Sequence, residues 1–195
     1  MTKNHVNSVL TGRFEAAFQY AIRLHSRQMR KGTNVPYVAH LLGVTALVIE
    51  DGGDEDQAIA ALLHDAVEDQ GGMTTLEEIR SLFGYRVADI VAGCTDSFQT
   101  PKPPWKIRKE GYLSHLSEAT EDVRLVSLAD KLHNARSILH DLKKDGGSVW
   151  KRFNGGKEGT LWYYNSLLNI FELNPGSPMI DELRWTLERI EDFVK

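Results

Sequence analysis

Apolar residues recur along this chain every three or four positions, the period of a helix, and no segment shows the strict alternation of a half-buried strand. Residues 12–31 place Phe14, Ala17, Phe18, Ala21, Ile22 and Leu24 at helical spacing and finish on Arg27, Arg30, Lys31 and Gly32. That ending predicts a helix whose terminal cations complement its dipole. Pro36 opens a second helix from Tyr37 to Ile49, which stops at Asp51, Gly52 and Gly53. A third is expected from Asp54 to the glycine pair 71–72. Thr74 or Thr75, followed by Glu77 and Glu78, reads as the cap of a short fourth helix reaching Phe83. Residues 85–95 form a fifth, and Pro101, Pro103 and Pro104 hold 96–104 as a stiff loop. Helices are further expected over 122–140, over the aromatic-rich run 158–168, and from Met179 to Val194 beyond the breaker Asn174 to Pro178. The pattern predicts an all-α single domain, 1–195, with a core over 13–170 and a C-terminal packing helix over 179–194.

Composition narrows the classes. The 195 residues are 42% hydrophobic and 26% charged, the profile of a soluble protein, and no apolar run approaches the roughly 18 residues that cross a bilayer. Membrane insertion is therefore not expected. The stretch Met1 to Ser8 lacks the apolar segment of a secretory signal, and Cys94 is the single cysteine, so a cytoplasmic protein without internal disulfides is expected. Cys94 itself reads as a small buried hydrophobe. With 23 Lys plus Arg against 27 Asp plus Glu, the net charge of -4 offers no long-range attraction to nucleic acid, and any anionic ligand must be held by local basic clusters.

The third helix carries the densest chemistry. On a helix at about 100° per residue, His64, Asp65, Glu68 and Asp69 fall within an arc of about 140°, opposite Ile59, Leu62, Leu63, Ala66 and Val67. The small residues Ala58, Ala60 and Ala61 allow close helix packing. A His-Asp pair offers a neutral nitrogen beside an anionic oxygen, a mixture suited to Mn, Fe, Co or Zn. One helix cannot surround an ion, so further ligands must come from elsewhere; the alternative is a solvated acidic face.

Two other helices supply candidates. His40 lies in the first turn of the second helix, where a packed core histidine is the competing explanation. Asp130 shares a stripe with Val123, Val126 and Asn134 on a largely buried helix. A carboxylate there requires a cation or a salt bridge, for instance to Arg136. The segment 105–113, with Lys106, Arg108 and Lys109, is either a solvated basic face or a phosphate clamp. One tyrosine of the run 162–164 can offer a hydroxyl or a stacking face.

The order His40, His64-Asp65, Asp130 resembles the HD superfamily of metal-dependent phosphohydrolases. The surrounding residues sharpen the likeness: Arg30, Lys31 and Gly32; Pro36, Tyr37 and His40; Ala61 to Asp65 with Glu68 and Asp69; Phe83, Gly84 and Val87; and Leu128 to Leu132 with Asn134. Together they resemble the guanosine polyphosphate (ppGpp) hydrolase domains of the RelA/SpoT type, in particular the stand-alone small alarmone hydrolases, over about residues 13–170. The resemblance implies an HD-domain helical fold in which His40, His64, Asp65 and Asp130 hold Mn²⁺, while Glu68 and Asp69 serve the water or the substrate. It implies a nucleotide pocket containing Arg30, Lys31, Asn134 and Tyr163. Bifunctional members carry a lysine directly after the threonine that matches Thr95; this chain has Asp96, so Lys106, Arg108 and Lys109 are the candidates for the phosphate-binding cation.

Glu68 lies one helical turn beyond His64, which makes it the candidate base or water orienter, and Asp69 the candidate for positioning substrate. The implied activity is release of pyrophosphate from the ribose 3′ position of a small-molecule nucleotide, with no nucleic-acid or membrane partner and with a homo-oligomer compatible. Other HD phosphohydrolases (a nucleotidase, a deoxynucleotide hydrolase, an NADPH phosphatase) and a non-catalytic nucleotide sensor are the alternatives.

Overall fold

A computed structural model describes residues 10–99 and 101–193. The N-terminal stretch read for a secretory signal, Thr100 within the stiff loop, and Val194 of the last helix lie outside the described residues. These fold into ten α-helices and one 3-10 helix, with no strand among them and one isolated antiparallel bridge between Met29 and Pro36. The helices are α1 (Gly12–His25), α2 (Val38–Glu50), α3 (Glu55–Leu63), α4 (Ala66–Gln70), α5 (Gly72–Phe83), α6 (Tyr85–Cys94), α7 (Trp105–Glu118), α8 (Glu121–Asp145), α9 (Gly156–Glu172) and α10 (Pro178–Asp192). The 3-10 turn η1 (Gly146–Arg152) sits between α8 and α9. No helix is long and apolar enough to cross a membrane among the described residues.

Helix α3 is the hub. It starts on a capping box in which Asp54 accepts from the Gln57 amide while the Gln57 side chain accepts from the Asp54 N–H. Every residue from Ala58 to Leu63 is fully buried. A helix apolar on all sides must be surrounded, and α1, α2, α6 and α8 enclose this one. Its alanines let those neighbours come close. The long helix α8 runs across the same core and in turn supports α10, which buries Ile180, Leu183, Leu187 and Ile190.

Three expectations from the sequence need correction. The first helix ends at His25, not at residue 31. Residues 26–37 instead form a turn closed by Arg30 N–H to the Val35 carbonyl (2.8 Å) and Tyr37 N–H to the Gln28 carbonyl (2.9 Å), with Gly32 at φ 74°. Arg30 and Lys31 thus sit on a loop rather than at a helix dipole. The third helix does not run unbroken to Gly71: His64 and Asp65 form a turn between α3 and α4, with right-handed dihedrals but without a continuous helical hydrogen-bond ladder. The fourth helix begins at Gly72 and not at the threonines. Gly71 and Gly72 both adopt positive φ, which reverses the chain sharply enough that α5 resumes at once and Thr75 is buried within it.

Candidate metal centre and adjoining cavity

The four residues His40, His64, Asp65 and Asp130 arrive from three directions. His40 occupies the first turn of α2, His64 and Asp65 form the corner between α3 and α4, and Asp130 lies mid-way along α8. Ligand atoms of His40, His64 and Asp65 all fall within 4.8 Å of one another. Oδ1 of Asp130 joins them at 3.2 Å from His40 Nε2 and 3.6 Å from His64 Nε2, while Oδ2 of Asp65 stands 3.5 and 3.0 Å from the same two atoms. His64 and Asp65 keep right-handed helical dihedrals through this corner, and Oδ2 of Asp65 turns back to within 3.0 Å of His64 Nε2.

Both Nε2 atoms are buried and have no hydrogen-bond partner. Buried polar atoms without partners are rare, and each asks for an explanation. The distal nitrogens explain the orientation. His64 Nδ1 donates to the Ala61 carbonyl (2.8 Å), and His40 Nδ1 lies 2.9 Å from Nδ1 of His133. His64 Nδ1–H, engaged by that carbonyl, turns Nε2 toward the shared centre, and His40 Nε2 faces the same point, the disposition of histidines that bind a metal. The carboxylates are also held: Tyr37 donates its hydroxyl to Asp65 Oδ2, Asn134 donates to Asp130 Oδ1, and Lys131 donates to Asp130 Oδ2. Two nitrogens and two carboxylates in one buried cluster fit a divalent transition ion.

Electrostatics point the same way. Burial disfavours charge on His64, yet Asp65 and Asp130 outweigh it and hold the imidazole well above its usual range. Burial also opposes ionisation of Asp65 and Asp130. His64 and His40 beside the first, and Lys131 with the two imidazoles beside the second, nonetheless keep both carboxyls well below the ordinary carboxylate range. The cluster stabilises positive charge at its centre. Asp130 does form a salt bridge, to Lys131 rather than to Arg136, which pairs with Glu182 on α10.

Glu68 and Asp69 follow on α4. Burial and the nearby carboxylate of Asp96 raise the Glu68 pKa, partly offset by Lys102, whose Nζ lies 2.8 Å from Glu68 Oε1. Asp69 is likewise raised, by burial and then by Asp65, and accepts from Gln28 Nε2 at 2.7 Å. Asp96, directly after Thr95, is ion-paired with Arg108 and with Lys109 (2.8 Å to the lysine). This network joins α4, α7 and the proline-rich loop.

A cavity of about 680 Å³ opens beside the cluster, with His40 and Tyr37 on its wall. Arg30, Lys31, Lys109, Asn134 and Tyr163, all singled out in the sequence, line it, together with Lys131, Trp105 and Tyr164. Arg30 donates to Asn134 (2.8 Å), and the Tyr163 hydroxyl is buried with no partner. Lys106 is not on the lining; its ammonium lies over the Trp162 ring and near Glu110. Burial pushes the Cys94 thiol up to about 11, in keeping with a packed small hydrophobe.

Sequence reasoning missed His133, Tyr37, Lys131, Gln28 and Lys102 as parts of this site. The usable signal was proximity: Lys131 and His133 flank Leu132 between Asp130 and Asn134, and Tyr37 lies three residues before His40. Nothing local distinguishes Lys102 from any loop lysine.

Residues 17–161 match the HD domain family. The chain belongs to the HD domain family. HD domains hold a divalent metal, and in this member the ligand atoms of His40, His64 and Asp65 lie close enough together to hold one. The chain is 40% identical over 137 residues to a Xenopus tropicalis protein named guanosine-3′,5′-bis(diphosphate) 3′-pyrophosphohydrolase MESH1, covering 69% of this chain and 72% of that one. It is 38% identical over 122 residues to MESH1 of Danio rerio, covering 61% of this chain and 65% of the relative. Among solved structures, a metazoan ortholog of SpoT described as hydrolysing ppGpp superposes with a TM-score of 0.76 at 25% identity, over 93% of this chain and 97% of the other. The HD fold thus extends across nearly the whole chain.

Proposed function

We propose that the protein is a Mn²⁺-dependent guanosine-3′,5′-bis(diphosphate) 3′-pyrophosphohydrolase acting on (p)ppGpp in the cytoplasm. The observation that carries this reading is the pair of buried, unpartnered Nε2 atoms of His40 and His64 facing the carboxylates of Asp65 and Asp130 beside a large basic and aromatic cavity. The MESH1 relatives and the ppGpp-hydrolysing SpoT ortholog support the choice of substrate.

In this reading His40, His64, Asp65 and Asp130 hold the ion. When bound, it supplies Lewis acidity that polarises a phosphoryl oxygen and acidifies water. Glu68 takes the proton of the attacking water. Its raised pKa brings it closer to the working pH, where a base is most effective. The water oxygen bonds to the phosphorus attached to the ribose 3′ oxygen, the bond between that phosphorus and the 3′ oxygen breaks, and the 3′ oxygen takes up a proton as pyrophosphate leaves. Asp69, fixed by Gln28, positions the reacting end of the substrate.

The cavity residues divide the remaining work. Lys109 and Lys131 offset phosphate charge near the cluster, as preorganised cations do in phosphoryl transfer. Arg30 and Lys31 present charge from the 26–37 turn, Asn134 offers an amide, and Tyr163 offers its unpartnered hydroxyl to the nucleotide. Lys106 stands behind this wall, supporting Trp162 rather than meeting phosphate directly.

Incubation of purified protein with ppGpp and Mn²⁺ tests the proposal. Stoichiometric pyrophosphate is expected; release of orthophosphate alone, or no turnover with Mn²⁺, Fe²⁺ or Co²⁺, would overturn it.

A further inference from the structure

The two imidazoles of the cluster are anchored differently. His64 Nδ1 meets a peptide carbonyl, Ala61 O, which only accepts. His40 Nδ1 meets another imidazole nitrogen, Nδ1 of His133, at 2.9 Å, with ring centroids 4.8 Å apart. Two ring nitrogens at that distance share one proton, and either ring can own it. If His133 donated, the His40 proton would sit on Nε2, aimed at Asp130, and the lone pair facing the cluster would be lost. If His40 donates, Nε2 is open.

A second observation concerns the placement of the His133 ring. A Cβ built on Gly43 would lie 2.3 Å from both Cδ2 and Nε2 of His133. The imidazole is therefore seated edge-on against the bare backbone of α2, one turn beyond His40, where no other residue leaves room. A glycine inside a helix costs about 1 kcal/mol relative to alanine. The close ring contact accounts for its presence.

We propose that His133 is a positioning residue: seated in the slot at Gly43, it accepts the Nδ1–H of His40 and thereby holds the His40 Nε2 lone pair open toward the metal centre. This rests on the metal-centre reading above. His133 carries its own proton on Nε2 and never contacts the ion. It also lines the cavity, so the acceptor of a metal-ligand histidine forms part of the substrate wall.

Co²⁺ titration of the metal-free protein tests this through visible absorption and chelator competition, with no substrate present. His133→Asn retains an acceptor oxygen close to the place of Nδ1, His133→Ala removes it, and Gly43→Ala displaces the ring without changing its chemistry. Loss of a ligand's outer hydrogen-bond partner typically weakens metal binding by about 10–100-fold; that loss is expected for His133→Ala and Gly43→Ala with an altered Co²⁺ spectrum, whereas His133→Asn should stay within about threefold of wild type. Wild-type affinity and spectrum in His133→Ala, or equal losses in His133→Ala and His133→Asn, would overturn the proposal. Should His133→Ala not fold, an unchanged Gly43→Ala overturns it. Failure of the wild-type protein itself to bind Co²⁺ would overturn the metal centre along with it.

Discussion

Nζ of Lys102 lies 2.8 Å from Oε1 of Glu68, tying the proline-rich loop to the short helix that follows the His-Asp corner. The contact orients a carboxylate whose pKa burial has raised. Glu68→Gln keeps the size and hydrogen bonding of the side chain but cannot take a proton. Its kcat should fall by about a hundredfold or more, with bound metal unchanged by elemental analysis. Turnover equal to wild type would remove Glu68 from the chemistry.

Removal of the ion should cost stability as well as activity. A ligand that binds only the folded state at a hundredfold excess over its Kd stabilises by about 2.7 kcal/mol. Chelation should therefore lower Tm and abolish hydrolysis, and Mn²⁺ should restore both. In Asp130→Asn, which weakens one of four donors, the Mn²⁺-dependent rise in Tm should shrink or vanish. A full rise in that variant would exclude Asp130 from the ligand set.

Asp96 is nearly buried between Arg108 and Lys109. Burial favours its neutral acid, but Lys109 and Arg108 prevail and hold the pKa below the ordinary aspartate value. Breaking a buried pair from one side costs about 3–5 kcal/mol, the size expected for Asp96→Asn in denaturant unfolding. Because the folded pKa is depressed, the stabilisation is complete above the ordinary aspartate range and is lost as pH falls toward the folded value. The gap between wild type and variant should thus narrow on acidification below that range. A gap independent of pH would show that the charge is not its source.

The ring of Trp105 rests on Gly155, the N-cap of α9, and on Gly159 within it, and a Cβ at Gly155 would lie 2.6 Å from its outer edge. Gly155 has an ordinary φ of -83°, so the cost of Gly155→Ala is steric rather than conformational. Overpacking of this kind destabilises by about 1–3 kcal/mol. The Tm should fall accordingly, with altered tryptophan fluorescence as Trp105 shifts from the cavity wall. An unchanged Tm and spectrum would mean that the wall yields without penalty.

How far the sequence reached can be judged from particular residues. The helical period located α2, α6, α8 and α10 to within a few residues, because a stripe of apolar positions and a breaker such as Asp51-Gly52-Gly53 or the 101–104 prolines are local properties. The residue types His40, His64, Asp65 and Asp130 were also visible, since few explanations suit a carboxylate on an apolar helix. The helix break at His64 was not visible, because no glycine or proline marks it.

The sequence by itself determined which side chains were available and on which helices they ride. Only the tertiary structure decided how they face one another. The approach of α2, α3 and α8 through fully buried alanines brings Asp130 to 3.2 Å from His40, and the same approach sets His133 against Gly43. The turn at residues 26–37 carries Arg30 to the cavity instead of leaving it on a helix end. Helical periodicity is written within a few residues of each position, whereas ligand convergence depends on the distance between helices, which is set by close packing of the whole core.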